Sequence, residues 1–77
     1  MSMKDKALEV ISTVSGVKRE DIEEKMDLVA DLAIDSPKAL MLLVQLEDTL
    51  ELEIPDEAAA GMDTVADVLG WIERQAA

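Results

Sequence analysis

The chain has 77 residues, 18 of them acidic against 7 basic, a net charge of −11, and neither cysteine nor histidine. Its length fits one domain over residues 1–77, and the missing residue types remove disulfides, thiolate metal sites, cysteine nucleophiles and the commonest general base, so neither an enzyme nor a metal site is expected. A surface this negative repels nucleic acid and anionic membranes, and Trp71, the lone aromatic residue, leaves no platform for base stacking.

Ser2 and Asp5 form an N-cap signature. Ala7, Leu8, Ile11 and Val14 then recur at helical spacing, and Gly16 suits the left-handed position that closes a helix. Together they predict a first helix over Lys4–Ser15. From Val17 to Asp35 the apolar residues Ile22, Met26, Leu28, Val29, Leu32 and Ile34 are scattered among acids. A stretch this long is expected to serve function or hold local helical turns, and its apolar content predicts a loop packed on the core.

The second helix is predicted from Asp35 or Ser36 to about Leu52, with Pro37 in the first turn, where its missing N–H costs nothing. At about 100° per residue, Ala39, Leu42, Leu43, Leu46 and Leu50 share the core face. Leu40, Met41 and Val44 fall on the other side, followed by Glu47, Asp48 and Glu51. Ile54-Pro55 breaks the helix. A short third helix over Asp56–Ala60 is predicted next, capped by Asp56 and closed by Gly61. Thr64 and Asp67 form a capping box ahead of Val65, Val68, Leu69 and Ile72, which predicts a last helix over Val65–Gln75 with Gly70 on its exposed side. The expected core is Leu8, Ile11, Leu42, Leu46, Leu50, Val65, Val68, Leu69 and Ile72.

Asp35-Ser36 is the most informative pair. A serine at a helix start sits at the positive end of the macrodipole, where a phosphate ester is favoured. An ordinary N-cap would explain the same serine, and both readings can hold together. Asp27, Asp31 and Asp35 suggest a calcium loop, but Leu32 stands where that loop needs glycine and Lys38 where it needs glutamate. No apolar run reaches transmembrane length and no signal-peptide core is present, so a cytoplasmic protein without membrane or nucleic-acid partners is expected.

The order of elements, with Asp31-Leu32, Asp35-Ser36, Leu46-Glu47-Asp48, Glu53-Ile54-Pro55-Asp56-Glu57, Thr64-Val65 and Ile72, resembles the acyl carrier protein family over essentially the whole chain. The resemblance implies an all-α four-helix bundle with three main helices, a short third helix and a long first loop. It implies 4'-phosphopantetheine on Ser36 through a phosphodiester, with Asp35 as the acid of the loading motif, and acyl groups held as thioesters for fatty-acid or specialised lipid or polyketide-type synthesis. The other readings are a peptidyl or aminoacyl carrier, or an unmodified acidic helical interaction protein. The implied partners are a phosphopantetheinyl transferase and acyl-processing enzymes with basic patches, met by a monomer. The expected partner face is Pro37, Lys38, Leu40, Met41, Val44, Glu47, Asp48 and Glu51. An acyl chain is expected between the second and third helices, against Leu43, Leu46, Ile54, Ala59 and Met62.

The chain departs from the family's usual pattern at a few places. Pro37 and Lys38 replace an apolar residue and an acidic or polar one. Met41 stands where many fatty-acid carriers have an acid, Ala33 replaces a frequent glycine, and Leu50 replaces a frequent phenylalanine. Pro37, Lys38 and Met41 lie on the expected partner face, so they bear on which enzymes are served. The negative charge should also limit stability at low salt through self-repulsion.

Overall fold

Ser2 starts the first helix as the sequence predicts: its hydroxyl accepts the Asp5 N–H at 3.1 Å. In a computed structural model that describes residues 2–76, this helix, α1, covers Met3–Ser15 and ends on Gly16 at φ 79°. A 3₁₀ turn follows at Arg19–Asp21, then α2 at Ser36–Leu50, α3 at Asp56–Ala60 and α4 at Val65–Ala76. The fold is all-α with four helices, and α1 packs on both α2 and α4. One isolated bridge, Asp27 to Thr64, is the sole strand-like pairing among the described residues.

The core differs from the expected set in instructive ways. Ala7, Val10, Ile11 and Val14 form the buried face of α1. That stripe is rotated from the expected one, so Val10 is buried and Leu8 half-buried. Leu50 is half-buried as well, because α2 stops there: Glu51 turns left-handed at φ 54°, and the helix ends two residues before the predicted Leu52. The loop contributes three core residues the periodicity did not include, Leu28, Leu32 and Ile34, and Ile54 adds a fourth. Gly70 is half-buried rather than exposed, with the Arg74 guanidinium lying over it.

Helix ends decide where the loop lies. The first N–H groups of a helix need outside acceptors. At α4 the loop supplies them, since Val65 N–H donates to the Met26 carbonyl at 3.0 Å and Ala66 N–H to that of Glu24 at 2.8 Å. The capping box completes the end: Thr64 Oγ1 accepts the Asp67 N–H, and Asp67 Oδ2 accepts the N–H groups of Thr64 and Asp63. At α3 the cap is Pro55 without a side-chain bond, so Asp56 is the first helical residue and not the cap, and Gly61 closes the turn at φ −91° rather than left-handed. Arg19 pairs with Asp5 and Glu9, and Lys4 with Glu24, which holds the loop along α1. Such exposed pairs contribute about 0–1 kcal/mol each, so the buried loop residues matter more.

Candidate functional site

The segment leading to Ser36 is a single helical turn with a hard stop. Asp31 Oδ2 accepts the Asp27 N–H at 2.7 Å. Ala33 N–H then reaches the Val29 carbonyl and Ile34 N–H the Leu28 carbonyl, at 3.1 and 2.9 Å. Ala33 closes the turn at φ 54°, a left-handed position that favours glycine. Ile34, only 1% exposed, drops into the core immediately afterwards. Burying such a side chain contributes roughly 1.5–3 kcal/mol, so the chain is pinned two residues before the serine.

Asp35, not Ser36, is the N-cap of α2. Its carboxylate accepts the Lys38 N–H at 3.2 Å and its carbonyl the Ala39 N–H at 2.7 Å. Ser36 is therefore the first helical residue. Its hydroxyl is exposed and makes no hydrogen bond among the described residues. Pro37 has no N–H, and the Lys38 and Ala39 donors are taken, so the Ser36 N–H is the one left at this helix end. An exposed hydroxyl beside a free N–H, at the positive end of a 15-residue helix, fits a phosphodiester on that oxygen.

Beside this end lies an apolar cavity of about 90 Å³. Leu43, Leu46, Ala59 and Met62 line it as expected, joined by Leu28, Val29, Ile34, Ala39, Leu42 and Val68. Ile54 does not line it: its side chain points into the core and is 7% exposed. Three of the added residues belong to the loop, where scattered apolar residues showed packing but not against what. Val29 is 68% exposed and also lines the cavity, which places it at the mouth.

Leu40, Met41 and Val44 are 64%, 52% and 56% exposed and form a continuous apolar strip. Pro37, Lys38, Asp48 and Glu51 are exposed around it. Glu47 is not part of that surface in the same sense. It is half-buried, and its carboxylate accepts the Ile54 N–H at 3.0 Å. Lys38 has no ion pair among the described residues. The first turn of α2 holds no acid and its last turn no base, so Lys38 at one end and Glu47 and Asp48 at the other oppose the macrodipole. Among the described residues, no group of three or more acidic side chains could hold a metal ion.

Comparison with known proteins decides the family. A model of the phosphopantetheine attachment site family matches residues 5–72. The chain belongs to this family of acyl carrier proteins. The meromycolate extension acyl carrier protein of Mycobacterium tuberculosis (strain H37Rv) is 39% identical over 66 residues, covering 86% of this chain and 57% of that protein. The chain thus spans little more than half the length of that relative. The acyl carrier protein of Clostridium perfringens (strain 13 / Type A) is 40% identical over 70 residues, covering 91% of this chain and 92% of that one. The solved structure of Rv0033 from Mycobacterium tuberculosis, described as an acyl carrier protein, superposes with a TM-score of 0.87 at 28% identity, covering 96% of this chain and 99% of the other. Family membership makes the matched stretch a carrier domain of the phosphopantetheine attachment type. No helix among the described residues is long and apolar enough to cross a membrane.

Proposed function

We propose that Ser36 is the attachment residue and that residues 1–77 form one carrier domain whose cargo rests against the α2–α3 cavity. The observation that carries this is the division of labour at the start of α2: Asp35 caps the helix, and the Ser36 hydroxyl is left exposed beside a free N–H. In loading, Ser36 Oγ bonds to the phosphorus next to the pantetheine arm of coenzyme A. The pyrophosphate bond breaks, 3',5'-adenosine bisphosphate leaves, and the hydroxyl proton passes to a base of the transferase. The bound arm supplies a terminal thiol that carries acyl groups as thioesters. Asp35 holds the serine in register and leaves its outer oxygen free to meet the transferase.

Every residue lining the cavity is apolar, which favours acyl over peptidyl or aminoacyl cargo. That lining offers an acyl chain a dry surface between α2 and α3. The partner face is the Leu40, Met41 and Val44 strip, flanked by Pro37 and Lys38 near the arm and by Asp48 and Glu51 at the far end. Lys38 and Met41 weaken its fit to enzymes that present basic groups near the arm, so the protein serves a dedicated enzyme set as a cytoplasmic monomer.

The test is intact mass after incubation with coenzyme A and a broad-specificity transferase. The wild-type chain gains the mass of the arm, and Ser36→Ala gains none while keeping its helical circular dichroism. A Ser36→Ala chain that still gains the arm ends the reading.

A further inference from the structure

Helix α3 has little of its own to hold it in place. It has five residues, buries no side chain and has no side-chain cap, and a helix this short is not stable alone. Yet Ala59 of α3 and Met62 just after it form one wall of the apolar cavity, with Leu43 and Leu46 of α2 opposite. Among the described residues, one side-chain hydrogen bond joins α2 to the segment that leads into α3. It runs from the Ile54 N–H to Glu47 Oε2, at 3.0 Å, half-buried and across seven positions.

Glu47 holds the turn twice. Its carbonyl accepts the Glu51 and Leu52 N–H groups, where the chain reverses through left-handed Glu51. Its carboxylate then fixes Ile54, whose side chain is sunk in the core. A carboxylate near the negative end of α2 gains nothing from the macrodipole, so the benefit of Glu47 lies in the segment it holds. We propose that Glu47 is a positioning residue for cargo: its carboxylate clasps the approach to α3 against α2 and so sets how far the cavity opens to an acyl chain. This rests on the reading of Ser36 as the attachment residue. It gives Glu47 a role as hydrogen-bond acceptor, distinct from that of a surface charge offered to partner enzymes.

Three variants separate acceptor from charge: Glu47→Gln keeps the acceptor without the charge, Glu47→Asp keeps the charge but is one methylene short, and Glu47→Ala loses both. The first readout is amide hydrogen exchange at Ile54 in the unloaded protein, which does not depend on Ser36. The second is cleavage of an octanoyl thioester by neutral hydroxylamine, with an acetyl thioester as the cargo too short to need the cavity. Intact mass shows beforehand whether loading has succeeded. Glu47→Ala and Glu47→Asp should speed Ile54 exchange and octanoyl cleavage about fivefold, the factor carried by one net hydrogen bond. Acetyl cleavage should be unchanged, and Glu47→Gln should stay within about twofold of wild type. If Glu47→Ala does not fold, Glu47→Asp against Glu47→Gln decides alone. The proposal is overturned if Gln behaves like Ala or Asp, if the shortened variants leave Ile54 exchange unchanged, or if acetyl and octanoyl cleavage rise together.

Discussion

The two helix starts at Ser36 and Val65 are built to opposite ends. At α4 the leading N–H groups all have acceptors: the loop carbonyls of Met26 and Glu24, the Thr64 hydroxyl and the Thr64 carbonyl. Hydrogen bonds from the Asp63 and Thr64 N–H groups hold the Asp67 carboxyl below the usual carboxylate range. At α2 a single carboxylate, Asp35, serves the cap, the Ser36 hydroxyl and N–H are left without protein partners, and Lys38 opposes the macrodipole. A saturated helix end has nothing to offer a ligand. An end left partly open stabilises less and leaves a free N–H and an exposed hydroxyl where an anion would be favoured.

Four measurements test that contrast. The largest effect is expected at the partner face. Lys38→Glu with Met41→Glu should raise turnover by housekeeping fatty-acid elongation enzymes about tenfold at low salt, mainly through association rate, and the gain should shrink at higher ionic strength. The same Lys38→Glu change should stabilise α2 by about 0.3–1 kcal/mol, since an acid in the first turn suits the macrodipole. Equal turnover of wild type and double mutant at low salt would show that these positions do not set partner choice.

Next comes the cap. Asp35→Ala should lower stability by about 1 kcal/mol, read by urea denaturation, whereas Ser36→Ala, one residue on, should cost clearly less because Ser36 does not cap. Comparable losses for the two variants would contradict the assignment of Asp35. A smaller effect, of opposite sign, is expected before the site: Ala33→Gly should raise stability by about 0.5–1 kcal/mol by relieving a left-handed alanine. A lower melting temperature in that variant would mean that the turn does not sit at positive φ in solution.

The smallest effect concerns acid and α4. Because the Asp67 pKa is lower in the folded chain, its contribution is fully present above the unfolded carboxylate value. It is lost as pH falls through the depressed folded value. Asp67→Asn should therefore destabilise at neutral pH and narrow the gap to wild type in strong acid. A gap that stays constant over that range would remove the carboxylate as its cause.

Much of this molecule was legible from residue order. Ser2 and Asp5, Gly16, Pro55, and Thr64 with Asp67 mark helix ends through local chemistry, and each marks an end within a residue or two of where it occurs. The α2 strip of Leu40, Met41 and Val44 followed from helical geometry alone. The 17–35 segment was legible only as packed, because its apolar residues obey no single period: Leu28 and Leu32 are buried from one turn, and Ile34 from the irregular residues that lead to the cap. Leu8 and Val10 changed places for a related reason. Several rotations of α1 satisfy its spacing, and the packing of α2 and α4 selects one.

Composition and neighbours within a few residues were enough for the all-α class, the four helices, the acidic surface, the lack of histidine and cysteine chemistry, and a serine at a helix start. Tertiary structure decided which residue caps α2, which loop side chains close the cavity, and that Glu47 faces Ile54 rather than open solvent. Those outcomes depend on groups brought together by the reversal at Glu51 and the left-handed turn at Ala33. Hydrogen-bond partners seven residues apart, or cavity walls drawn from the loop and three helices, leave no periodic trace in the chain that forms them.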